Sequence, residues 1–76
     1  MVKAAYKKHY KCLGENVSLY RKRLNLTQEQ LAEMVEVENV HISHIETGAR
    51  GSSLDLVFAI ADALGVEPYK LFQKKE

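Results

Sequence analysis

The chain of 76 residues has a single cysteine, Cys12, and a single proline, Pro68. One thiol excludes an internal disulfide, so the expected setting is a reducing cytoplasm. Four glycines and one proline against 46% hydrophobic residues argue for a compact all-helical domain. No apolar run approaches the roughly 18 residues that a membrane-spanning helix needs, so no membrane role is expected. The basic N-terminus lacks the apolar stretch of a secretory signal. Internal repeats, low-complexity tracts and linkers are missing too, and the length suits one small domain. Nor does the sequence supply a nucleophile–base arrangement, paired carboxylates in an apolar pocket or a glycine-rich phosphate loop, so it does not read as an enzyme. His41 and His44 stand three apart, and so do His9 and Cys12, a spacing that can hold metal. Neither pair has the further ligands that a site requires. No metal and no cofactor is expected.

Net charge is small overall, at +1, but not locally. Residues 1–26 carry seven Lys or Arg against one Glu, a balance of +6, whereas residues 27–76 carry four against nine acidic residues, a balance of −5. A polyanion would be drawn to the first third and to selected points of the rest.

What is present concentrates in Thr27 to Gly48, TQEQLAEMVEVENVHISHIETG. Thr27-x-x-Gln30 is a capping box, which satisfies backbone N–H groups at a helix start. Leu31, Ala32 and Val35 put an apolar face on a short helix, Val37 bridges a turn, and Ile42 and Ile45 give a second helix its buried side. Gly48 supplies a left-handed stop. Two short helices joined by a tight turn, with small or polar residues outside, fit an element for the DNA major groove. Sequence-specific binding of double-stranded DNA is the leading expectation.

Around this segment the pattern predicts three more helices. Residues 1–12 form a basic leader, followed by residues 13–73 as the domain. Tyr6, Tyr10, Leu13 and Val17 recur at helical spacing, so the leader can run as a helix into the first core helix, near 13–25, with Gly14 a weak point. The alternative is an arm lying along DNA. Helices two and three fall near 27–35 and 38–47. Serines 52 and 53 can cap a fourth, near 53–64, which Gly65 ends, and Pro68 starts a short fifth through Phe72. The fourth is apolar almost all round. Leu54, Val57, Phe58, Ala61 and Leu64 form a core stripe, with Leu56, Ala59, Ile60 and Ala63 partly outside it. A second cover is then needed, and a homodimer through the C-terminal helices would provide one.

The strings LGENVSLYRKRLNLTQEQLAEMV, ISHIETG and SLDLVFAIADALGVEPYKLF resemble, in order, the XRE-type or phage-repressor helix-turn-helix domains, from about Leu13 to Phe72. The resemblance implies an all-α, five-helix lambda-repressor-like fold. It also implies roles. Gln28 matches a residue that binds backbone phosphate and braces the recognition helix, and the N–H groups that begin at Thr27 and Gln28 suit a phosphate. Arg21 and Glu46 match a partly buried ion pair between helices one and three. Asn39, Val40, Ser43 and His44 match positions facing base edges, and Arg50 matches a phosphate contact in the following loop. Asn can bind adenine, Val a thymine methyl, and Ser or His an acceptor. His41 is expected beside the core or at its rim.

Two positions depart from the family. Glu36 stands where the turn usually has Gly, and Glu38 where Ser or Thr usually caps the recognition helix. Both place negative charge near the expected DNA. Either they point away from phosphate or one accepts from a cytosine amino group. The function implied is a transcriptional regulator, a repressor in first place, on a near-palindromic operator. An antitoxin, a phage repressor and a restriction–modification controller all fit this size. The alternative is a protein-interaction module that keeps the fold and serves a regulatory protein partner.

Overall fold

A computed structural model describes residues 4–74. A 3₁₀ turn, Ala4–Tyr6, leads into helix α1, Lys7–Arg23, followed by α2, Gln28–Met34, α3, Asn39–Thr47, and α4, Leu54–Leu64. A second 3₁₀ segment, Pro68–Phe72, closes the order, and the described residues contain no strand. The chain is all-α, as expected, but with four α-helices rather than five. The predicted fifth is the 3₁₀ segment. It is only five residues long, and Lys70 N–H donates to Glu67 C=O in the tighter i to i+3 pattern. The carbonyls of Leu71 and Gln73 are taken instead by the side chain of Asn16.

Local signals set the helix ends. Thr27 Oγ1 accepts from Gln30 N–H while Gln30 Oε1 accepts from Thr27 N–H, so the capping box forms in full. Ser53 caps α4 by accepting from Leu56 N–H. Gly48 and Gly65 end α3 and α4 in the left-handed conformation. Over residues 7–12 the basic leader takes the helical form. These are the first turns of α1, which passes residue 12 without a break.

The buried core joins Leu13 and Val17 of α1, Leu31 and Ala32 of α2, and Ile42 and Ile45 of α3 to α4 and Leu71. On α4 the buried residues are Leu56, Val57, Ile60, Ala61 and Leu64. Leu54 and Phe58, assigned to the core stripe by periodicity, lie outside at 64% and 47% exposure, and Leu56 and Ile60 take their place. A helix apolar on most sides gives periodicity no face to choose, so the packing partners choose it.

Gly14 is not a weak point but a requirement. It is buried where α1 crosses α3, and a Cβ there would run into the Ile45 carbonyl oxygen and lie 2.6 Å from that of Glu46. Hydrogen alone fits.

Glu36 has φ of 60°, so the turn between α2 and α3 keeps the left-handed geometry although the residue is not glycine. Val37 N–H then reaches back to Ala32 C=O, which closes α2 as a Schellman turn does. The strain of a side chain in this region is on the order of 1 kcal/mol. Replacing Glu36 with Gly is therefore expected to stabilise the fold by about that amount, read as a higher urea midpoint at unchanged slope. A lower midpoint would contradict the strain assigned here.

Candidate DNA-binding surface

The core fixes α3 through Ile42 and Ile45, so its opposite side faces solvent. At 100° per residue that outward side carries Val40, Ser43, His44 and Thr47, with Asn39 on one flank and His41 on the other. Asn39, Val40, His41 and Thr47 are exposed, and Ser43 and His44 are half-buried. Of the four positions expected to face bases, Val40, Ser43 and His44 thus share one outward strip of α3 and Asn39 stands at its edge. His41 lies clear of the core. Thr47 was not singled out from sequence. It is exposed, and its hydroxyl donates back to the His44 carbonyl.

Behind that strip, one network ties three elements together. Arg21 Nε donates to Glu46 Oε2 at 2.6 Å and Nη2 to Oε1 at 3.0 Å, a two-point pairing with both side chains at most one-tenth exposed. Arg21 Nη1 also donates to the Leu26 carbonyl at 2.7 Å. Gln28 Nε2 donates to Glu46 Oε1 at 2.9 Å. The carboxylate of α3 is therefore gripped from α1 and from the start of α2, which holds the angle between the two short helices. Gln28 keeps a second amide hydrogen beyond this bond, and Thr27 keeps its hydroxyl hydrogen, so each retains a donor for a phosphate oxygen.

Arg50 is exposed in the loop after α3. The first half of α1 runs beside that loop. A Cβ on Gly48 would lie 2.8 Å from the Lys11 Cα, and the ring of Tyr10 stands over Gly51. Exposed Lys11 therefore stands by the end of α3, next to the segment that carries Arg50. Glu36 and Glu38 are exposed at the opposite end, and Glu38, at the N-cap of α3, makes no side-chain cap bond. The recognition helix thus has an acidic entrance and basic neighbours at its exit.

Asn16 escaped sequence reasoning. It is buried between Leu13 and Val17 and donates to the carbonyls of Leu71 at 2.9 Å and Gln73 at 2.7 Å. An amide on the apolar face of a helix was the available signal, since a buried polar group must find partners. Cys12 lies one turn earlier, with Sγ 3.5 Å from the Gln73 carbonyl oxygen.

Along the first half of α1, Tyr6, Tyr10, Leu13, Leu54, Val57 and Phe72 line an apolar cleft. Tyr6, Leu54 and Phe72 are half or more exposed, and Phe58 follows one turn after Leu54. Among the described residues no group of three or more His, Cys, Asp or Glu stands ready for a metal, and no helix is long and apolar enough to cross a membrane.

Comparison with known proteins accords with this geometry. A helix-turn-helix family model matches residues 17–71. The control protein C.BamHI of Bacillus amyloliquefaciens is 41% identical over 59 residues, covering 76% of this chain and 73% of that protein. The control protein C.SmaI of Serratia marcescens is 36% identical over 63 residues, covering 83% and 75%. Among solved structures, the restriction-modification controller protein C.AhdI from Aeromonas hydrophila superposes with a TM-score of 0.80 at 30% identity, over 83% of this chain and 96% of that one. With residues 17–71, the two short helices among them, matched by the family model and two relatives more than 30% identical, the chain belongs to the XRE-type helix-turn-helix family of DNA-binding transcription regulators.

Proposed function

We propose that this protein represses transcription by binding a near-palindromic operator as a homodimer, in the manner of a restriction–modification controller. The observation that carries DNA reading is the Arg21–Glu46–Gln28 network, which holds α3 rigidly against α2 while its outer strip stays accessible. Asn39, Val40, Ser43 and His44 would meet base edges, and Thr27, Gln28 and Arg50 would bind phosphate and set the register. The exposed apolar residues around the cleft, Leu54 and Phe58 of α4 with Phe72, support the dimer, because a second copy would remove them from water. Two recognition helices would then enter major grooves about 34–36 Å apart. Among the regulators that fit this size, the likeness to two control proteins and a restriction-modification controller favours that class.

The test is selection of bound duplexes from a random DNA library, run beside a Gln28→Ala/His44→Ala double variant. The expected result is a two-fold-symmetric motif that the double variant no longer enriches. Weak binding without enrichment, abolished by moderate salt, would refute operator reading and leave a protein-interaction module as the better account.

A further inference from the structure

Glu38 is placed at the point where α3 would enter the groove, and nothing within the described residues uses its carboxylate. It occupies the N-cap with extended backbone, φ −77° and ψ 149°, yet its side chain accepts no cap hydrogen bond. It is exposed, and the ion pair among the described residues joins Arg21 to Glu46 instead. Serine or threonine at such a position would cap the helix, so glutamate here forgoes local stabilisation. Beside DNA the carboxylate also meets phosphate repulsion, so it weakens binding at every sequence that offers it no donor.

We infer that Glu38 is a specificity-determining residue that accepts a hydrogen bond from the exocyclic amino group of a cytosine in the major groove. This inference rests on the operator-reading function proposed above. A carboxylate can only accept, and major-groove donors are few: the amino groups of cytosine and adenine. Adenine sets its N7 acceptor next to that amino group, which repels a carboxylate, whereas cytosine presents no acceptor of its own there. Glu38 directly precedes Asn39 and Val40, so the base it reads adjoins those they meet. The same charge that favours one C·G pair disfavours the other base pairs and non-specific DNA, which makes Glu38 a source of discrimination more than of affinity.

The experiment is the same random-library selection on the wild-type chain and on Glu38→Gln and Glu38→Ala, with a thermal melt of each. In the wild type one position in each half-site should prefer C·G about ten-fold, within the range of a base-edge contact. Glu38→Ala should lose that preference. Glu38→Gln should shift it to A·T, since a glutamine amide matches the N6 and N7 of adenine. Both variants should bind non-specific DNA more tightly than the wild type. A motif unchanged in both variants, with only the melting temperature altered, would show that the carboxylate serves the dipole of α3 alone and would overturn the assignment while operator reading stands. No motif in the wild type would overturn both.

Discussion

Replacing Gly14 with alanine is expected to destabilise the fold by about 3 kcal/mol or more. Helix propensity predicts the opposite, because alanine in a helix interior is favoured over glycine by about 1 kcal/mol. The added methyl group would press on the carbonyl oxygens of Ile45 and Glu46. Those atoms belong to the backbone of α3, so no side chain can rotate away. The helices themselves must separate, and with them Leu13 and Val17 from Ile42 and Ile45 in the shared core. Overpacking of ordinary cores costs roughly 1–3 kcal/mol. A rigid backbone obstacle belongs at or above the upper end, about 3 kcal/mol or more. A domain this small has a total stability of only about 4–11 kcal/mol, so that loss is a large part of it. Urea denaturation followed by circular dichroism would measure it. A Gly14→Ala midpoint equal to or above that of the wild type would mean that α1 and α3 do not touch through their backbones.

Glu46→Ala should be nearly as damaging, for an electrostatic reason. The substitution leaves the Arg21 guanidinium about one-tenth exposed, with the Leu26 carbonyl its one remaining partner on the described residues. Removing one member of a buried ion pair typically costs about 3–5 kcal/mol, most of it from the charge left behind. Glu33 is exposed on α2 and serves as the control, and Glu33→Ala should stay within about 0.5 kcal/mol of the wild type. Glu46→Gln should fall between them, because its amide oxygen can still accept from Arg21 but carries no charge. The loss should extend to DNA binding, since Gln28 would no longer be tethered to α3. Equal melting temperatures for Glu46→Ala and Glu33→Ala would refute the network's structural role.

The two substitutions differ in how far their effect could be read in advance. Arg21 and Glu46 are ordinary charged residues by composition, and only the resemblance to a family paired them. The resemblance had Gln28 brace the recognition helix, but it did not name Glu46 as the residue gripped, because a hydrogen bond between residues 18 apart depends on how two helices cross. Gly14 was misread. Propensity registers the entropy of glycine but not the helix lying across it. Asn16 was passed over for a similar reason, as its partners are carbonyls more than 50 residues away.

The sequence by itself determined what depends on neighbours along the chain. The capping box at Thr27, the serine cap of α4, the glycine stops at 48 and 65, and the apolar faces of α2 and α3 are all contacts within a few residues, and short-range chemistry suffices for them. So does the accessible strip on α3, once Ile42 and Ile45 are known to point inward. Tertiary structure decided what propensity and period leave degenerate. It chose which side of the nearly all-apolar α4 is buried, leaving Leu54 and Phe58 exposed. It also held Pro68–Phe72 as a 3₁₀ segment, because Asn16 captures carbonyls at its end. In each case two local solutions differ by little free energy, and the contact made by a distant element selects between them.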